Sequence, residues 1–144
     1  MGANLAKVAA MDQRTINTGV YLIMALFCLQ PMALGAWLAL IPYMKETLEL
    51  SKFDLSLALL GMPVAVLIAL QFAGPLSTRI GIRRLVVMTF PLQGLAAFLP
   101  LLAGSQVMLF FALAVFGATH AMMEVGMNVY AGRVEKKAAA HVMN

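Results

Sequence analysis

The chain has 144 residues, of which 62% are hydrophobic and 11% charged, and it carries a net charge of +4. Soluble domains hold about 45–50% apolar and about 25% charged residues, so a soluble core of this size has no room for so much apolar surface, and lipid is the solvent the chain requires. The Lys and Arg residues fall in short clusters between apolar runs rather than on one face. That pattern argues against nucleic-acid binding and makes the positive charge a topology signal. Cys28 is the single cysteine, so a disulfide within the chain is excluded, and no metal-ligand spacing or cofactor motif is present.

Taken in chain order, residues 1–17 form an N-terminal segment, and its opening Met1-Gly2-Ala3-Asn4-Leu5-Ala6 lacks the Ser or Thr of a myristoylation signal. A first spanning helix is expected over 18–43. Its apolar run from Val20 to Ile41 exceeds the core of about 7–15 residues in a cleavable signal peptide, and no small-residue cleavage site follows it. Further spans are expected over 55–77, 85–103 and 107–131, each near the roughly 20 residues that cross a bilayer. Residues 132–144 form a tail that stops before a fifth span. Backbone polar groups must be paired within lipid, and the alternation of a barrel strand is missing, so all four spans are helices. Pro31, Pro63, Pro91 and Pro100 fall inside them and are expected to kink them.

The connecting charges give an orientation. Lys7, Arg14, Arg79, Arg83, Arg84, Arg133, Lys136 and Lys137, eight of the ten basic residues, fall on one side. The other side has Lys45 and Lys52, offset by Glu46, Glu49 and Asp54, and the uncharged Gly104-Ser105-Gln106 turn. Positive-inside bias therefore places both termini in the cytoplasm. Tyr21, Trp37, Tyr43 and Tyr130 are expected at headgroup level near the span ends, in agreement with this topology.

Chemistry concentrates in the fourth span. His120, Glu124 and Asn128 stand four residues apart, so each step turns only about 40° around the helix and all three share one stripe. A carboxylate near the bilayer centre costs about 2.5–3.5 kcal/mol on insertion scales, so Glu124 should face protein or a water-filled cavity. Such an acid can gain and lose a proton as its surroundings change from wet to dry, with His120 as partner or solute contact and Asn128 offering donors and acceptors. Gln30 and Gln93 fall near mid-depth of the first and third spans and are expected to share that cavity; Gln71 lies nearer a span end. The competing structural reading has these side chains joining helices by hydrogen bonds.

The loop between the second and third spans reads G-P-L-S-T-R-I-G-I-R-R over residues 74–84. It resembles the loop signature of the major facilitator superfamily, matching at Gly74, Arg79, Gly81, Arg83 and Arg84, with Thr78 where that family has Asp. The resemblance implies a partial twelve-helix fold with a cytoplasmic gate in this loop, weakened here because Thr78 carries no charge. Gly74 is expected to allow close helix approach and Gly81 a tight turn. The stretch Glu124-Val125-Gly126-Met127-Asn128 and the stretch Ile41 to Ser51 are similar to sequences of the fucose–proton symporter group and related bacterial inner-membrane facilitators. That group has an acid just before the Ile-Pro pair, whereas Leu38 to Leu40 are uncharged here. The likeness covers about residues 30–137.

By resemblance, the chain is the first third of a proton-coupled carrier of a small polar solute such as a sugar, with Glu124 as the titrating acid and the missing helices of the same transporter as its partners. Alternatives are a self-contained four-helix exporter working as a homodimer, which lacks the first-span acid such exporters use, and a non-transporting membrane subunit. An enzyme is not expected: apart from His120 and Glu124, no nucleophile–base, phosphate-cradling or metal-binding arrangement exists.

Overall fold

The computed structural model describes residues 2–142, with side chains described for 17–133, 135 and 136. The basic residues Lys7, Arg14 and Lys137 used in the orientation argument lie outside the described side chains. All the regular structure is helical: α1 (Gly2–Thr47), α2 (Lys52–Leu59), α3 (Gly61–Ile80), α4 (Ile82–Ala96), a single 3-10 turn (Leu99–Leu102) and α5 (Gln106–Val142). Among the described residues, four stretches are long and apolar enough to cross a membrane: Asn17–Thr47, Lys52–Ile80, Ile82–Leu102 and Gln106–Arg133. They contain the first, second and fourth expected spans with a few residues to spare, and the third starts three residues earlier and ends one residue earlier than expected.

Local chemistry sets the boundaries. At the end of α1 the N–H of Leu50 donates to the carbonyl of Lys45 (2.9 Å), and Glu49 takes the left-handed conformation, φ 50°, the geometry of a Schellman stop. Ser51 then caps α2, its Oγ accepting from the N–H of Asp54 at 3.1 Å. Between α3 and α4 the chain reverses at Gly81, with φ 85° and ψ 139°, a region that side chains with a Cβ avoid. Gly81 therefore makes the turn expected of it.

The prolines act unequally. Helix α1 continues through Pro31 and Pro42, and α4 through Pro91. The breaks fall at Leu60, ahead of Pro63, and at Ala97–Phe98, ahead of Pro100. Proline leaves the carbonyl four residues back without its helical donor, here Leu59 and Ala96, the last residues of α2 and α4. Two of the four expected kinks thus become breaks, and two are absorbed within continuous helix.

Helix α5 is the hub. Of its most apolar stretch 39% is buried, against 11% for that of the first span, so α5 is central and α1 peripheral. It packs most extensively along α3, then along α4. Two glycines make the α3–α5 approach possible: a Cβ on Gly61 would collide with the Phe110 carbonyl, and one on Gly117 would lie 2.5 Å from the Met62 carbonyl oxygen. Gly74, by contrast, has open space where a Cβ would be and makes no close approach within this bundle.

The core joins Trp37, Met44, Ala58, Leu109, Leu113 and Phe116. Trp37 is 3% exposed, so it belongs to this core and not to the headgroup belt. Tyr21 and Tyr43 are exposed, as belt residues are. Large apolar side chains such as Leu67, Phe72, Leu95 and Phe98 point outward, which suits a surface solvated by lipid.

Candidate functional site

Gln30, Gln93 and His120 each lie within two residues of the middle of their spans, Asn17–Thr47, Ile82–Leu102 and Gln106–Arg133. The fold brings them together. Gln93 Nε2 is 3.0 Å from His120 Nδ1, and Gln30 Nε2 is 3.3 Å from the same nitrogen. Gln30 Nε2 also donates toward the backbone carbonyl of His120 at 3.5 Å. Both glutamines are buried, at 5% and 3% exposure. They meet His120 from α1 and α4, so the cluster ties three helices at mid-depth. Placing three polar groups there is tolerable because each meets another, whereas an unpaired one would carry the full desolvation cost.

The cluster has one loose end. Gln93 Oε1 is buried without a hydrogen-bond partner. Where Nδ1 serves as the acceptor for an amide, the ring's proton is on Nε2, and Nε2 lies 3.9 Å from Glu124 Oε2. Glu124 itself is 54% exposed on its side chain, and its described polar contact is with His120 alone. Asn128 is likewise exposed. The stripe read from the sequence therefore divides: His120 turns inward to two glutamines, while Glu124 and Asn128 face outward from these four helices. Gln30 and Gln93 bind the ring instead of opening onto a cavity beside Glu124. Their pairing with His120 across 90 and 27 residues has no local sequence signal.

The residues of the loop signature sit at the α3–α4 reversal. Thr78 Oγ1 donates to the Pro75 carbonyl at 2.8 Å, so its hydroxyl is spent on its own helix. Arg79, Arg83 and Arg84 are exposed, and none has a carboxylate partner among the described residues. Gln71 is also exposed. A cavity of about 510 Å³ lies elsewhere, between α4 and the stretch of α1 from Leu22 to Leu29. It is lined by Leu22, Leu26, Leu29, Val87 and Phe90, with Arg83 and Tyr130 at its edge, and none of the polar cluster reaches it. No group of three or more metal-ligating side chains occurs among the described residues.

Four apolar helices gathered about a polar cluster at mid-span define a multi-pass, all-α membrane protein. Residues 20–143 match the Major Facilitator Superfamily, and the chain belongs to that family. It is similar to an uncharacterised MFS-type transporter of Yersinia pestis, 28% identical over 118 residues that cover 82% of this chain and 31% of the relative. It is also similar to an uncharacterised transporter of Sinorhizobium fredii, 30% identical over 125 residues, with the same 82% and 31% coverage. The chain thus spans about a third of the length of these curated relatives. No solved structure matches it.

Proposed function

We propose that the chain is the N-terminal part of a secondary active transporter that moves a small polar solute, such as a sugar or related metabolite, by alternating access driven by protons. The observation that carries the reading is an acid–imidazole pair, Glu124 and His120, within a predominantly apolar span of a chain that belongs to a family of carriers. An intramembrane acid is costly and marks a proton or solute pathway more often than a structural joint. Glu124 takes no part in joining the helices described here, which favours a role in exchange over a role in packing. Its exposed face and that of Asn128 would front the solute pathway, completed by helices that the longer relatives possess.

In this reading Glu124 titrates, Asn128 offers an amide to the solute, and His120 presents its Nε2–H toward both. The likeness of residues 124–128 to the fucose–proton symporter group supports a sugar-like solute, and the uncharged Leu38 to Leu40 argue for one other than fucose. Residues 74–84 serve at the cytoplasmic gate, with Gly74 and the three arginines free to meet the rest of the transporter. Both termini of the chain lie in the cytoplasm, in a bacterial inner membrane.

The test is Glu124→Gln in the full-length protein. Solute uptake driven by a pH gradient should fall to background while membrane insertion and abundance stay at parental levels. Undiminished uptake would remove Glu124 from the mechanism.

A further inference from the structure

Helix α1 is held unevenly along its length. After Gln30 it is clamped: Trp37 and Met44 are 3% and 2% exposed in the core. Before Gln30 the buried apolar side chain is Ile23, at 9% exposure, and Leu22, Leu26 and Leu29 line the cavity of about 510 Å³ between α1 and α4. Pro31 stands at the boundary and deprives the helix of one backbone hydrogen bond there. The hydrogen bonds of Gln30 to the His120 ring and carbonyl tie this part of α1 to α5.

The two glutamines are not equivalent partners of His120. Nδ1 accepts only while it carries no proton. If it gains one, Gln93 can follow by turning its amide, because its Oε1 has no other partner to lose. Gln30 cannot, because its Nε2 also faces the His120 carbonyl, and turning would set two oxygens against each other.

We propose that Gln30, His120 and Gln93 form a proton-sensitive latch, and that protonation of His120 frees Gln30 and lets the part of α1 before Pro31 swing about that residue while α4 stays attached through Gln93. A proton taken up from water turns the neutral ring into an imidazolium, Nδ1 changes from acceptor to donor, and Nε2–H keeps facing the Glu124 carboxylate, which balances the charge. Glu124, on the same helix, is the charged group beside the ring. The spans of α1, α3 and α4 bring only uncharged side chains to this depth: Cys28 of α1 is exposed, and Arg79, Arg83 and Arg84 lie at the α3–α4 turn. This goes beyond the transport reading and holds whichever solute is carried.

The experiment is a pulsed electron-spin distance measurement on the full-length protein in lipid nanodiscs, its other cysteines replaced. One label sits on Cys28, on α1 before Pro31, and the other on Leu67→Cys, exposed on α3. The parent should show one distance distribution at pH 8 and a second at pH 5. His120→Asn should lose the pH dependence, Gln30→Met should show the pH 5 distribution at both values, and Gln93→Met should keep the pH response. A parent distribution that ignores pH overturns the latch, as does a pH response that survives in His120→Asn or a Gln30→Met protein that stays in the pH 8 state. None of these readouts depends on uptake, so failure of the latch and failure of the Glu124 assignment are separable.

Discussion

Gln93 is the residue whose environment is least settled by packing, since one of its amide ends meets His120 and the other meets nothing. Replacing it by leucine removes a hydrogen bond and a buried unpaired oxygen together. A net bond contributes about 0.5–1.5 kcal/mol and an orphaned polar group costs about 1–3 kcal/mol, so the two effects offset. Gln93→Leu should therefore leave thermal stability in detergent within about 1 kcal/mol of the parent; a much larger loss would mean that Oε1 has a partner in the assembled protein. The stripe of His120, Glu124 and Asn128 was legible in the sequence because helical spacing alone places such residues on one face. The attachment of Gln30 and Gln93 to His120 was not, because it depends on which way α1 and α4 turn against α5. The same limit explains Trp37, whose aromatic character fits a headgroup belt and a core equally well until its neighbours are known.

At the scale of helices, glycine placement decides how closely the pieces fit. A Cβ at Gly117 would meet backbone, the Met62 carbonyl, and backbone within a helix yields little. Gly117→Ala should push α3 from α5 and lower stability by about 1–3 kcal/mol, read as a drop in thermal unfolding temperature in detergent. Gly81→Ala meets no neighbour, but its φ of 85° strains any other residue by about 1–3 kcal/mol. The loss there should appear as faster hydrogen exchange at the α3–α4 turn, with the α3–α5 contact intact. Gly74, prominent in the loop signature, should accept alanine without loss of stability in this bundle. The signature names which residues stand in the loop, but helix contacts decide which of its glycines is needed for packing here.

For the whole molecule, orientation is the property most open to direct test. Single cysteines placed at Arg84 and at Gly104 should react with a membrane-impermeant reagent from opposite sides, Arg84 from the cytoplasm. Labelling of Arg84→Cys from outside intact cells would reverse the topology and with it the placing of the gate.

Composition and hydropathy by themselves determined that the chain lives in lipid, that it crosses four times, and that it does so as helices. These are properties of segments about 20 residues long, whose transfer free energy is a sum over their own side chains. Charge clusters set the expected orientation in the same additive way. Only the tertiary structure decided that α5 is the hub, that Gly61 and Gly117 rather than Gly74 permit close packing, that Pro63 and Pro100 lie beside breaks while Pro31 and Pro91 do not, and that a histidine and two glutamines from three helices meet at mid-depth. Those outcomes depend on pairwise contacts between segments far apart in the chain, and no sum over a single segment contains them.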